Sequence, residues 1–545
     1  MKSKLYIFAF LFTVAGISCT KVDENAYDQL LSEKFYNNKN EVLSAVLRPY
    51  THANAWVTPA DQRNWWEISE LSSDQLAWPT KGRHGEDGGK WKRLHYHTWN
   101  VDDDYLNNAW VLMYWGMGLC NDPIEKISSR DVASMGITQE EKDAYIAELK
   151  LLRAFHYLKI MDLWGNIPVA TEVGTTLPQT MPRAEVFAFI EKEIKENIEK
   201  TPVLSRGMLG RMSQAGGYAM LVELYLNAEA WTGTPRWDDC IAAADKLISG
   251  QAGGQNGAMA LDPNISDQFK PTNDLSKEVI FSIAYDYTRA RFEPSFTSEF
   301  YHFKQREIYG GGRNGNNGVV VIPGVYTTFG NADLRKTNWL RIGPQVKFSD
   351  GTPVTGSEEY TNKQLEFVDN IRRNSTGGTS STMSDGEENS GVRFDKYKIS
   401  NSAQGIVNGV NVEPDPNYNN TDWNVYRLTW IYFAKAEALM RKNAGTATPE
   451  AVQLINDCKK RAYSAADWAG NEYTVASLTL TELLAERGRE FIFEGFRRDD
   501  LIRFGKFTTA SWWDHQPTTD TRKLFPIPQQ QRSLNTNLTQ NSGYN

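Results

Sequence analysis

Apolar residues recur at three- and four-residue spacing along three stretches of the chain, and that spacing predicts helices. Residues 104–129 and 139–164 form the first group, 185–199, 213–231 and 237–249 the second, and 425–442, 449–465 and 478–503 the third. Leu221, Leu224, Tyr225 and Ala228 show the rhythm. Gly165 ahead of Pro168, then Gly250 and Gly445, supply the stops. Residues 218–231 and 237–248 form one helical hairpin, and 426–442 and 449–463 another. Each is about 35–40 residues long, the scale of a tetratricopeptide unit. Such hairpins stack, because one alone cannot bury both of its faces. The pattern changes between these groups. Residues 53–103 are poor in helix signals and heavy in Trp, and residues 309–421 are rich in Gly, Asn, Ser and Thr. The expectation is a mainly α protein. A tetratricopeptide-like helical-hairpin scaffold covers about 104–250 and 425–505, and long loop-rich insertions with short strands cover about 53–103 and 250–424.

Composition sharpens this picture. The 545 residues carry a net charge of −8, which argues against nucleic acid as a partner. After the first twenty residues no 18-residue apolar run occurs, so none of the predicted helices should span a bilayer. Cys120, Cys240 and Cys458 lie far apart on helical segments without a CxxC pair, which reads as buried thiols. Lys2 and Lys4, the apolar run 5–15 and the small residues before Cys19 together read as an export signal. The ending Gly16-Ile17-Ser18-Cys19 resembles a bacterial lipobox, which makes Cys19 the expected acylated N-terminus of the mature protein. Two or three acyl chains would hold it on a membrane, at about 0.8 kcal/mol per buried methylene.

Four blocks then carry a resemblance. The first is residues 147–155 (AELKLLRAF) with 163–169 (LWGNIPV), and the second is residues 432–439 (YFAKAEAL). The third is residues 486–503 (ERGREFIFEGFRRDDLIR). The fourth is residues 525–528 (FPIP) followed by Asn535, Asn537, Leu538, Gln540, Asn541, Gly543 and Tyr544. In order and spacing they resemble the SusD-like (RagB) family, with small departures at Lys435 and Gln531. The resemblance implies a scaffold of four tetratricopeptide-like pairs carrying a loop-rich binding lobe. It also implies binding of oligo- or polysaccharide without catalysis, and a lid-like partnership with a SusC-like TonB-dependent importer at the outer face of the outer membrane. The charged residues of the third block lie about a helical turn apart, which reads as ion pairs holding a C-terminal helix on the scaffold.

Eight of the 17 Trp fall between residues 50 and 120. Trp110 and Trp115 lie in a helical run and are expected in the core. The other six lie in sequence containing Gly, Pro and His. Sugar rings offer apolar C–H faces and a rim of hydroxyls, so they suit aromatic faces beside planar polar groups. On that basis Asp74, Trp78, Arg83 and Trp91 are the first candidates for glycan contact, with Trp339 and Arg393 from the later insertion. Tyr301, Tyr309, Arg313, Arg341, Asp395 and Tyr397 are further possibilities there. Gly88-Gly89 is expected to push the Trp91 indole outward. No cofactor is expected. A structural calcium at Asp102, Asp103 and Asp104 is left open, although acids also suit a helix N-terminus. A helical glycoside hydrolase is the alternative, with Glu67, Glu70, Asp74 and Asp87 as its carboxylates and His95 and His97 as conceivable metal ligands. A structural surface protein that docks other proteins is the third reading.

Overall fold

The computed structural model describes residues 35–59, 64–286, 299–310, 314–398, 406–407, 410–411 and 420–544. Cys19 and Arg313 lie outside them. Helix α1 (Lys39–Val57) begins where the Asn38 side chain accepts from the Glu41 amide. It runs five residues into the stretch read as loop, because Val42, Val46, Tyr50, Ala53 and Trp56 give it one buried face. Two short helices, α2 (Trp65–Glu70) and α3 (Lys90–His95), flank strand β1 (Leu76–Ala77). Then come α4 (Asp104–Ser129), α5 (Gln139–Trp164), α6 (Arg183–Asn197), α7 (Gln214–Leu226) and α8 (Trp237–Ile248).

Helix α5 is the axis of the scaffold. A capping box between Thr138 and Glu141 starts it, and every residue from Leu151 to Trp164 is buried. Burial all round is why its apolar pattern is nearly uniform there. The charges it takes inside are paired. Arg153 meets Glu193 at 2.7 Å and Lys159 meets Glu223 at 2.7 Å. Asp162 meets Arg498 at 2.9 Å.

Between the two parts of the scaffold lie the strands β2 (Val279–Ile283), β3 (Val320–Val321), β4 (Leu340–Arg341), β5 (Arg393–Phe394) and β6 (Trp423–Arg427). β2 and β6 pair antiparallel, Ile283 opposite Trp423 and Val279 opposite Arg427, so the chain between them leaves and returns through one ribbon. β1 pairs with β3 and β4 with β5. The chain then forms α9 (Leu428–Lys442), α10 (Pro449–Lys459), α11 (Leu480–Phe491), α12 (Arg497–Arg503) and α13 (Gln529–Leu534). Four predicted helices are shorter than their patterns implied: α7 ends at Leu226 ahead of a separate short helix Ala228–Thr232, α10 ends at Lys459, and two more differ at β6 and at a break. α9 starts at Leu428, not 425, because the five buried residues before it pair as β6. The run 478–503 breaks over residues 492–496, where Phe493 and Gly495 take φ of +74° and +91°. A Cβ at Gly495 would sit 2.5 Å from the Trp65 ring, so the break requires glycine there. Lys435 departs from the family pattern because it bridges α8 and α10, at 2.6 Å from Asp245 and 2.5 Å from Glu450.

The break is the root of the loop-rich insertion. Lys396 donates to the Glu490 and Ile492 carbonyls and to the Glu494 carboxylate, which satisfies carbonyls that the helix end frees. Arg335 meets Asp333 and Glu486 at 2.7 Å and Glu490 at 2.9 Å. Arg427 meets Glu278, Glu490 and Glu494 within 3.2 Å. All of these side chains are buried. Burial raises the Glu278 carboxyl, but Arg461 and Arg427 outweigh it and hold the group at about 2. The ion pairs read from the sequence therefore exist, and they fasten the insertion as well as the C-terminal helices.

Candidate functional site

The early loop and the later insertion meet at Asp514. Its Oδ2 accepts from the Tyr96 hydroxyl and, at 2.9 Å, from the Met383 amide. Thr80 N donates to Met383 O, and Gly82 N to Gly386 O, which fixes the early loop along residues 383–386. Trp512 and His515 close a two-residue turn by reciprocal backbone bonds, with Trp513 at φ +26°. A non-glycine residue held at positive φ is strained, and such strain concentrates at binding sites. The turn leaves both indoles half-buried. Trp512 stacks on His515 at 3.7 Å, and Trp513 donates to Ser381 Oγ at 3.0 Å. Tyr96, also half-buried, completes an aromatic shelf. Beside it Asp385 accepts from Ser380 at 2.7 Å and Thr382 at 2.6 Å, and these bonds hold its carboxyl below the usual range. Further along the same rim, Arg83 pairs with Glu358 at 3.0 Å and His84 lies 5.1 Å from Phe303. Flat apolar faces beside fixed carboxylates and a guanidinium are what a sugar ring requires.

Most of the residues predicted for this role lie beneath the rim. Trp91 is 1% exposed. Gly88 and Gly89 do make a turn, at φ +64° and +76°, but it drives the indole inward, which corrects the expectation above. The indole stacks on Trp78 at 4.5 Å and 4° and donates to Asp87 at 2.7 Å, while Lys90 sits 4.5 Å from the ring. Trp78 is closed over by Gly318, where a Cβ would come within 2.6 Å of its ring. Trp339 is buried under Lys396, whose Nζ lies 4.0 Å from the ring. Arg393 is buried too, donating to Glu388 O at 2.9 Å with its guanidinium over Phe367. Asp74 is held bidentately by Arg497 at 2.6 and 2.8 Å. Arg83, with a side chain 76% exposed, is the most open of the six, and Asp74 keeps a fifth of its side chain exposed. Trp78, Trp91, Trp339 and Arg393 are buried, and their fixed neighbours leave no open face for a ligand.

Burial also decides the remaining possibilities. Tyr309 carries the Arg341 guanidinium over its ring at 4.1 Å, with Asp395 3.5 Å from Arg341, so that face is already covered. Tyr301 and Tyr397 are buried. Glu67 and Glu70 are buried, and Glu70 accepts from the Gly495 amide at 2.6 Å, which makes it a support for the helix break. His95 and His97 are buried, and burial pushes His95 down to about 3. Asp103 pairs with Arg93 and accepts from Asn100 N at 2.9 Å. Among the described residues no group of three or more His, Cys, Asp or Glu is arranged to hold a metal ion. Sequence reasoning missed Trp512, Trp513 and Tyr96. The signal present was two adjacent Trp in the short polar stretch Ser511–Gln516, beyond the last long helix.

Comparison with known proteins gives a consistent outcome. The family model described as "SusD family" matches residues 277–544, and the one described as "Starch-binding associating with outer membrane" matches residues 27–226. The chain is 27% identical over 439 residues to the starch-binding protein SusD of Bacteroides thetaiotaomicron, covering 75% of this chain and 74% of that one. It is 21% identical to a SusD-like protein of Bacteroides ovatus, over 93% and 83% of the two chains. Among solved structures, surface glycan-binding protein A from Bacteroides thetaiotaomicron in complex with laminarihexaose shares the fold. Its TM-score is 0.67 at 19% identity, over 92% of this chain and 99% of that one. The protein of that name from Bacteroides uniformis gives the same TM-score at 20% identity, over 92% and 99%. With the scaffold, the insertion between paired strands and the four sequence blocks, these matches establish that the chain belongs to the SusD-like (RagB) family.

Proposed function

We propose that this protein is a non-enzymatic, lipid-anchored capture protein on the outer membrane. It binds oligo- or polysaccharide at the shelf formed by Tyr96, Trp512 and Trp513 and delivers it to a TonB-dependent importer. The observation that carries the reading is the junction at Asp514, where three loops remote in sequence hold half-exposed aromatic rings beside Asp385 and within one rim with Arg83. Asp74, Trp78, Trp91, Trp339 and Arg393 act in this reading as the bed under the loops. Relatives named for binding starch and for a laminarihexaose complex support a glucan as the first ligand class to try. Of the four carboxylates of the hydrolase reading, Glu67 and Glu70 are buried, Asp74 is paired with Arg497 and Asp87 accepts from the Trp91 indole. Acylation of Cys19 supplies the anchor.

A soluble form from residue 20 onward, screened against starch, laminarin and other polysaccharides by affinity electrophoresis and calorimetry, tests the reading. At least one polysaccharide should retard it, and long incubation should release no new reducing ends. Failure to bind any member of a broad panel would leave a structural surface protein. Steady release of reducing ends would restore the hydrolase. Cys19→Ala should move the protein from the membrane fraction to the soluble periplasm.

A further inference from the structure

Three of the seven His, His95, His97 and His515, meet beneath the aromatic shelf. The His515 ring lies 4.3 Å from His97 and 6.0 Å from His95, and it backs Trp512 at 3.7 Å with the planes 5° apart. Hydrogen bonds fix where two of these rings carry their protons. His515 Nδ1 lies 2.6 Å from the His95 carbonyl, which can only accept, so Nδ1 holds the hydrogen. His515 Nε2 is buried with no hydrogen-bond partner among the described residues. His97 Nε2 donates to the Ser72 carbonyl at 2.8 Å, and its Nδ1 faces the Thr518 hydroxyl at 3.2 Å. The neighbouring charges offer nothing to a cation here. Arg498, near His97, pairs with Asp162 and Asp499. Asp514, next to His515 in the chain, accepts from Tyr96 and Met383. Tyr96 and Trp513 stand against His95, and Trp99 and Phe507 against His97. A second proton on His515 would therefore put an N–H and a charge where no acceptor stands.

We infer that His515 is the positioning residue of the glycan shelf, that its neutral ring holds Trp512 in place, and that protonating this ring withdraws the shelf and releases glycan in acid. The inference rests on the glycan-site reading above. Trp512 and His515 exchange both backbone bonds across the turn, and Trp513 between them sits at strained φ, so a shift of one ring moves the other. A charged N–H buried without an acceptor costs more than a ring stack returns, so the protonated imidazole turns toward water and leaves the indole. Burial keeps His515 below its ordinary value, and the bond to the His95 carbonyl opposes it. Burial also lowers the other two, His95 to about 3 and His97 well below its ordinary value, which leaves His515 as the group that titrates in mild acid. The sign follows. Binding is complete above the unperturbed value of about 6.5 and is lost as pH falls through the lower value that His515 has in the fold.

Full-length protein labelled with 5-fluorotryptophan and extracted in mild detergent provides the test, with laminarin, starch and other polysaccharides as probes. The Trp512 fluorine signal is identified by its loss in Trp512→Phe. It should move as pH falls from about 7.5 to 4.5 and should stay in place in His515→Phe, which keeps a flat ring and takes no proton. Affinity for a probe that binds should fall at least fivefold over that range in the unsubstituted protein and change less than twofold in His515→Phe. At neutral pH His515→Ala should lose at least fivefold, and His515→Phe should bind within threefold of the unsubstituted protein. A pH profile that His515→Phe leaves unchanged overturns the inference. So does a Trp512 signal that ignores pH, or full affinity in His515→Ala. Loss of affinity that merely follows unfolding, read from the melting temperature at each pH, overturns it as well. Should His515→Ala fail to fold, the profile and the fluorine signal of His515→Phe decide alone. If no polysaccharide binds at neutral pH, the glycan reading falls and this inference with it, whereas each of the other contrary results removes this inference alone.

Discussion

Trp78 and Trp91 lie in the early loop, and Trp512 and Trp513 lie in a late turn that touches the same loop. The first pair is buried by the fold and the second stays half-buried at the rim. Both pairs have glycines, acids or histidines nearby in sequence, so local composition does not separate them. What separates them is the partner each ring finds. Trp91 meets Trp78 face to face, with Lys90 on its ring and Asp87 on its N–H. Trp512 has one face on His515, and the strained turn at Trp513 keeps its neighbour at the rim. His97 also meets Trp512 edge-on at 5.8 Å and His95 meets Trp513 edge-on at 5.2 Å, so these two rings are half-buried where Trp91 is sealed; whether a ring is sealed is decided by contacts across hundreds of residues.

The largest effect should come from the root on which both pairs stand. Arg427→Met leaves Glu278, Glu490 and Glu494 buried with less positive charge around them. Breaking such a buried pair costs about 3–5 kcal/mol, so thermal unfolding should begin far earlier, or the protein should fail to accumulate. A melting curve close to that of the unsubstituted protein would remove the network from the account.

Acid should act on the same root. Glu278 and Glu437 are held at about 2 in the fold, burial raising each but neighbouring arginines outweighing it. Their unfolded value is about 4.3. Their contribution is complete above that value and is lost as pH falls toward about 2. Glu70 and Asp422 run the other way. Burial raises each to about 8, so stability grows as pH falls from about 8 toward 4. Melting temperature should therefore peak on the mildly acid side and fall steeply below about pH 4. A curve flat down to about pH 3 would contradict these assignments.

Substitution within the two tryptophan pairs sharpens the contrast. Trp91→Ala removes a fully packed indole, which costs about 3–5 kcal/mol of stability, and whatever protein remains folded should bind glycan normally. Trp513→Ala should do the reverse. It should lose roughly 1–3 kcal/mol of binding, by analogy with stacking on aromatic side chains, and little melting temperature. Equal loss of stability from both would dissolve the distinction. Arg83→Ala is the smallest change expected. Its exposed pair with Glu358 is worth about 0–1 kcal/mol to the fold, so only ligand affinity has room to move appreciably.

The scaffold was legible because long amphipathic helices announce themselves. α4, α5 and α8 fall close to their apolar patterns and stops. β6 was hidden because five buried residues running straight into a helix carry no period of their own. The break at 492–496 was hidden because its cause is remote. Trp65 fills the place of a Cβ at Gly495, and Glu70 takes its amide. The candidate site was less legible. Trp density pointed to a loop that reaches the rim through Tyr96 and Arg83, but a count of aromatics cannot tell which faces are already taken. Trp115 makes the same point in reverse. Its helical setting suggested core, yet it lies at about 140° around α4 from Trp110 and is 56% exposed.

Hydroxyl-radical footprinting of the soluble protein, with and without a saturating polysaccharide to which it binds, tests the central claim most directly. Oxidation read residue by residue should fall several-fold at Tyr96, Trp512 and Trp513. It should stay low in both states at Trp78 and Trp91, and stay high in both at Trp115. Protection confined to Trp115, or ligand-dependent change at Trp91 with none at Trp512 and Trp513, would contradict the account.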